Sequence, residues 1–337
     1  MSGTPRLRVA AVAAACLCGG VAVAATSVTT YHVVALGGTD AQAAGMNSSG
    51  KVAASVGFVP ALLDHGAITM LGSDSGNAVA VNGKSSATGT SYAGGLVRAF
   101  LWKSNAMKEI SPLFADGDPT HGVAINSNAD VLCVEYGASQ DYTFILSDGK
   151  KTQVTGPAGY GYVVGAAMND SGDVAGAATP PNKLAHAFVR IAKHSTDLGA
   201  FGTGATYSAA TAININDVVA GDSASVPGNT ADVTAFRWSN NVMTNLGALA
   251  PSTRSHALAI DNKGNVVGYS YADVHNSVQH AFSYDGTKMA DLNKRLDASS
   301  AAWVLQTATG IDDAGAITGM GLFGGDRLPY LATPVKN

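Results

Sequence analysis

One phrase, clearest at residues 256–270 as HALAIDNKGNVVGYS, recurs seven times in a single register and limits what this chain can fold into more than any other feature. Its turn residue is Asn47, Asn82, Asn126, Asn169, Asn214, Asp261 or Asp312, at spacings of 35 to 51 residues. Two and four places earlier the residue is small in every copy, as Ala259 and Ala257 are before Asp261. The residue directly before the turn is larger and apolar, from Met46 through Ile311. Five places after the turn stands Val52, Ala87, Val131, Val174, Val219, Val266 or Ile317. Two further on the residue is small again: Ala54, Gly89, Cys133, Gly176, Gly221, Gly268 or Gly319. Alternation of small and large side chains has the period of a β-strand. An Asx side chain can bond the backbone two residues on, and a glycine three places after it accepts positive φ. Gly50, Gly172, Gly264 and Gly315 fill that place; Ser85, Ala129 and Asp217 hold it in the other copies. Each copy therefore reads as strand, tight turn, strand.

A second phrase follows each first one: Arg98-Ala99-Phe100, Tyr142-Thr143-Phe144, His186-Ala187-Phe188, Thr234-Ala235-Phe236 and His280-Ala281-Phe282. Weaker versions are Pro60-Ala61-Leu62 and Pro329-Tyr330-Leu331. Short turns then lead to a fourth apolar stretch such as Val242–Leu246. Four antiparallel strands per unit, repeated at this period, predict an all-β chain folded as a seven-bladed β-propeller. The last unit ends after three strands. Tyr31–Leu36 resembles a fourth strand but precedes the first copy, so it is expected to complete the last blade and remove an exposed sheet edge.

The phrases A-x-A-I-N-x-x-G-x-V-V-G and H-A-F, followed by a D-L-G-like strand (Thr196-Asp197-Leu198-Gly199, Asn245-Leu246-Gly247), resemble the bacterial extracellular HAF repeat family over about residues 31–334. That resemblance implies a secreted or surface-exposed repeat protein of undefined activity, and it carries over no catalytic residue.

Composition agrees with short strands and turns. Only 13% of residues are charged, 40 are glycine, and glutamate occurs twice, at Glu109 and Glu135. The net charge is −4 and no Lys/Arg cluster occurs, which argues against nucleic acid as a partner. Residues 1–25 read as a signal peptide: Arg6 and Arg8, an apolar run Val9–Val23, and Ala22-Val23-Ala24 as a small-x-small cleavage pattern. Residues 26–337 are then one exported propeller domain with no membrane span, read as a monomer in an extracellular, cell-surface or periplasmic setting. Of three cysteines, Cys16 and Cys18 would leave with the signal, so Cys133 cannot form an intramolecular disulfide; it reads as a small buried residue.

The first and third turns of each unit are short, whereas the second connection and the links between blades vary widely. Variable loops on a rigid scaffold are where binding resides. Candidate ligand-binding residues on that face are His121, His256, Tyr160, Tyr162, Tyr207 and Arg254. His121 and His256 both lie five places before a turn residue, at the mouth of an innermost strand. They fall in the third and sixth blades, too far apart to share a metal. His186 and His280 alternate with Arg98, Tyr142 and Thr234 in the same phrase and read as structural. Asp116-Gly117-Asp118 opens like a calcium loop but does not continue the spaced-carboxylate pattern, and reads as a solvated turn. No pair of carboxylates is singled out as a glycosidase would require. No G-x-S-x-G, H-E-x-x-H, P-loop or dinucleotide fingerprint occurs. These observations imply no catalytic residue, metal or cofactor. The expectation is a noncatalytic module for a glycan, a cell-wall component or a surface protein, leaning away from an enzyme. The alternatives are a polysaccharide hydrolase or lyase acting at the axial mouth, or a purely structural surface protein. Two or more carboxylates or a His–Asp pair converging within about 3–6 Å at the variable-face mouth would favour the enzyme, an aromatic groove without convergent titratable groups the binder, and a flat polar face the structural role.

Overall fold

The computed structural model describes residues 29–114, 117–138, 140–201, 206–224, 233–271 and 278–335; the expected signal peptide and Asp116 lie outside them. Among the described residues the strands form seven four-stranded antiparallel sheets. Blade one runs Ala41–Met46, Val52–Val56, Val59–Asp64 and Ala67–Met70. Blade six runs Ser255–Ile260, Val266–Tyr271, Gln279–Tyr284 and Met289–Asp291. Each innermost strand meets those of its two neighbours, the seventh meeting the first, so the ring is closed. Trp303–Ile311, Ile317–Phe323 and Asp326–Pro334 make three strands of blade seven. Tyr31–Ala35 supplies the fourth, pairing antiparallel with the last strand from Tyr31↔Pro334 to Ala35↔Tyr330. The seven-bladed propeller and its closure by the N-terminal strand are thus as the repeat pattern predicts.

Each repeated residue type has a contact that requires it. The aromatic residue of the second phrase fills the joint with a neighbouring blade: Phe100, Phe144, Phe188, Phe236 and Phe282 are all fully buried. At the joint of blades five and six, Phe282 and Val266 pack with Ala212, Ala220 and Ala235, and burying a side chain of that size stabilises by about 1.5–3 kcal/mol. Tyr330 takes the aromatic place in blade seven, where its hydroxyl donates to the Thr307 carbonyl at 3.0 Å. The alanine of the phrase is tied by its backbone. Ala99, Ala187 and Ala235 donate their amides to the Thr120, Ser208 and Ser255 hydroxyls of the next blade at 3.0, 2.7 and 2.9 Å. Fixing a buried amide in this way avoids the cost of an unsatisfied donor.

The small residues answer to backbone approach. A Cβ on Gly45 would lie 2.7 Å from the Val79 carbonyl oxygen of the adjacent innermost strand, and one on Gly310 would lie 3.1 Å from the Met46 nitrogen. The innermost strand also bulges, with a register shift between Ala257 and Ala259 in blade six. A Cβ on the opposing Gly268 would come within 1.9 Å of the His256 carbonyl oxygen. Toward their turns the innermost strands line an axial opening of about 430 Å³, with Val79, Val123, Leu258, Met46 and Ile311 among its walls.

The turn residues do two jobs, one of which the repeat does not reveal. Within its own turn, the Asn82 Oδ1 accepts from Lys84 and Ser86 amides at 3.0 and 2.9 Å. Its Nδ2 donates to the Asn126 carbonyl of the next blade at 2.8 Å. Asn47 donates likewise to Asn82, Asn169 to Asn214, and Asn214 to Asp261. Asn126 instead turns its Nδ2 to Asp130, and there the Ser127 amide donates to Asp170 across the joint. The three substituted copies keep the backbone shape, since Ser85, Ala129 and Asp217 have φ of 62°, 67° and 57°. Asn82→Asp should keep the local turn, lose the inter-blade donor and set a carboxylate against a carbonyl. We expect about 1–3 kcal/mol of destabilisation, read as a lower denaturant midpoint at unchanged slope; an unchanged midpoint would refute the belt.

Candidate functional site at the loop-face mouth

Every innermost strand begins at the face of the variable loops, and the residue five places before its turn stands at the rim of the axial mouth. At two joints that residue is a histidine bonded to the second strand of the preceding blade. His121 Nδ1 lies 2.9 Å from the Thr90 hydroxyl, and His256 Nδ1 lies 2.7 Å from Asp222 Oδ2.

The second joint is the richer. Asp222 belongs to blade five, yet both its oxygens are held from blade six, Oδ1 accepting the Ala257 amide at 2.9 Å and Oδ2 facing His256. Burial pushes the Asp222 carboxyl up, and the His256 and Ala257 contacts oppose that shift. Tyr269, directly across the ladder from His256, stacks on the imidazole at a centroid distance of 4.7 Å and 22° between planes. Tyr271 meets Tyr269 edge-on at 6.0 Å, and the Arg254 guanidinium lies 5.0 Å from the Tyr271 ring centre. Burial, then Tyr271 and Asp222, push the Tyr269 phenol up to about 12, so it remains a donor at neutral pH. Tyr207, at the entrance of the blade-five inner strand, is raised by burial and by the Asp222 charge.

Chemically this is a histidine whose tautomer the Asp222 carboxylate can set. With Asp222 ionised, Nδ1 carries the proton and Nε2 is left as a base. A protonated phenol stacks against it, and a guanidinium adds positive charge to the same cluster.

His256 and Tyr207 therefore gather around Asp222, and Arg254 joins the same cluster through Tyr271 and Tyr269. His121 sits apart at the joint of blades two and three, its ring edge against Tyr136 at 5.3 Å, and burial alone pushes it down. Tyr160 and Tyr162 lie in the link after blade three. The Tyr160 hydroxyl donates to Asp197 Oδ2 at 2.5 Å, and the ring borders a cleft of about 560 Å³ between blades three and four; Tyr162 is half exposed. Asp197 also holds His186 at 3.0 Å, and Asp291 holds His280 at 3.0 Å, so the imidazole of the H-A-F phrase is clasped by the aspartate of the following strand in a structural pairing. Cys133 is fully buried and its thiol pKa is raised by burial.

Sequence reasoning missed Asp222 and Tyr269. Both occupy the place eight residues after a turn, where the other copies carry Ser55, Thr90, Val134, Ala177 and Met320. An aspartate in that column of blade five and a tyrosine in that column of blade six, on either side of His256, are the signal that marks the site.

No family model and no curated protein matches this sequence. Solved structures do match along most of its length. Virginiamycin B lyase from Staphylococcus aureus aligns with a TM-score of 0.57 at 14% identity, over 91% of this chain and 100% of that one. Oligogalacturonate lyase from Vibrio parahaemolyticus gives 0.59 at 11% identity, over 89% and 93%. An oligogalacturonate lyase in complex with manganese gives 0.56 at 13%, over 91% and 97%. This chain shares a propeller fold with bacterial proteins far removed from it in sequence.

The comparison corrects the expectation of a chain without catalysis. Propellers that align with nine-tenths of it include lyases, so neither the fold nor the lack of a familiar motif is ground for reading it as noncatalytic. Among the described residues no three His, Cys, Asp or Glu side chains converge as metal ligands. No helix among them is long and apolar enough to cross a membrane.

Proposed function

We infer that this chain is an exported, monomeric propeller of HAF-like repeats, residues 1–25 directing its export, that cleaves an acidic polysaccharide by elimination at the loop-face mouth. The observation that carries this reading is the His256–Asp222 pair under the stacked Tyr269 ring. In a uronic acid the C5 proton lies beside the carboxylate, and it comes within reach of an imidazole base when a cation neutralises that carboxylate, the part that falls to Arg254. His256 Nε2 takes that proton, and the electron pair left on carbon forms a double bond as the glycosidic C–O bond breaks. The departing oxygen takes a proton from the Tyr269 hydroxyl, and the reaction consumes no water. Arg254 adds positive charge where the substrate carboxylate enters. Hydrolysis is served less well, because it calls for two carboxyl groups flanking the scissile bond and, among the described residues, the mouth cluster holds one, Asp222.

The test incubates the purified chain with polygalacturonate, alginate and neutral xylan, and follows the ultraviolet absorbance of the conjugated product. Signal from a uronate polymer and none from xylan is the expected result. Silence on both uronate polymers would remove the elimination reading. Release of saturated ends would replace it with hydrolysis.

A further inference from the structure

On the same face, at the joint of blades one and two, the hairpin turn Gly57-Phe58 is built against its own backbone. Both residues have positive φ, 56° and 64°, the shape of a two-residue turn that favours glycine or asparagine. A side chain at such an angle costs about 1–2 kcal/mol. Burial does not offset that cost, because the Phe58 ring is 77% exposed. A bulky residue kept at a strained and unpacked place points to a contact outside the chain.

The surroundings say what kind of contact. Phe58 and the half-exposed Tyr92 border a cleft of about 510 Å³ whose remaining polar lining is Gln42, Ser55, Ser75 and Asn77. Gln42 and Ser55 are paired on the first two strands of blade one, and Asn77 is the second residue of the inner strand of blade two. Among the described residues no charged side chain lines it. Its borders are held in place by the backbone. Gly57 donates to the Asp40 carbonyl at 3.0 Å, Gly76 to the Phe58 carbonyl at 2.7 Å, and Tyr92 to the Ser75 carbonyl at 2.8 Å. Two exposed aromatic rings on anchored backbone, beside uncharged amides and hydroxyls, complement a molecule with apolar C–H faces and a rim of hydroxyl groups.

We propose that this cleft is a sugar-binding subsite, taking one pyranose ring of a polysaccharide against Phe58 and Tyr92 with its hydroxyls on Gln42, Ser55 and Asn77. It lies three joints around the ring from His256, on the same face, so a polymer laid across the mouth meets both. That spanning role rests on the elimination reading above; the binding of a sugar ring does not.

Titration calorimetry on the full chain carrying His256→Ala keeps turnover out of the measurement. The probes are polygalacturonate, alginate, xylan and mixed-linkage glucan. At least one should bind. Adding Phe58→Gly, which relieves the backbone strain, should weaken that binding at least 10-fold while the melting temperature holds or rises. Gln42→Ala should weaken it as well. Binding unchanged in both variants, or no binding to any of the four, overturns the proposal. If the unmodified chain cleaves nothing and Phe58→Gly still abolishes binding, the mouth reading fails and this subsite stands. If the unmodified chain cleaves a uronate polymer and Phe58→Gly leaves affinity intact, the subsite fails and the mouth reading stands.

Discussion

A chain lacking residues 29–36 is expected to lose its cooperative unfolding transition, because those residues supply the outer strand of blade seven. Tyr31, Val33 and Leu36 are 7%, 5% and 1% exposed, and each belongs to a core that also draws on the last strands. Three such side chains together contribute about 5–9 kcal/mol, comparable with the whole stability of a typical domain. The strand is also pinned from outside its sheet, since Val33 donates to the Ser300 hydroxyl at 2.8 Å and Asp297 donates to the Tyr31 carbonyl at 2.9 Å. Removing it leaves a bare edge on the 326–334 strand, which invites pairing with a second chain. Denaturant unfolding and size-exclusion chromatography read both effects. A monomer with the parental midpoint would show that the ring does not depend on this closure.

The second large effect concerns chemistry. His256→Ala should lower kcat on a uronate polymer by about 10²–10⁴-fold, the range associated with a positioned acid or base. Asp222→Asn should fall in the same range with little change in KM, because an amide offers Nδ1 no carboxylate and the imidazole loses its imposed tautomer. The two losses should not add, since both variants disable one unit. His121→Ala, at the corresponding place of blade three, should leave kcat within a few fold. Equal losses at His121 and His256 would mean that the mouth as a whole, and not the dyad, supports turnover.

Most of the architecture is legible in the chain because seven copies report on one environment. The small residue at Gly268, the aromatic at Phe282 and the Asx at Asp261 recur because each blade meets the same neighbour in the same way. The strand Tyr31–Ala35 could be assigned to blade seven by counting: one unit was short and one strand was spare. The site is hidden for the converse reason. Asp222 and His256 are 34 residues apart in different repeats; Asp222 matches none of its counterparts in other copies, and His256 shares its place with His121, which has no such partner. A pattern that displays what the blades share is silent about the one joint where they differ. The expectation of a noncatalytic module followed from that silence. Phe58 escaped for a related reason, since a short connection between strands reads as a turn and its φ cannot be seen in sequence. The donor role of the turn asparagines was equally out of sight, because an aspartate satisfies the local turn and only the neighbouring blade distinguishes the two.

The closing sheet has a mechanical consequence. Tyr31 pairs with Pro334 and Ala35 with Tyr330, so the two chain ends leave the disc side by side from the same end of one antiparallel ladder. Tension applied between them loads the Tyr31–Pro334 pair first and passes to the next only when it yields. The ring is therefore stiff toward forces spread over its faces but peels like a zip when drawn apart by its termini, and a tether at both ends would set its lifetime under flow.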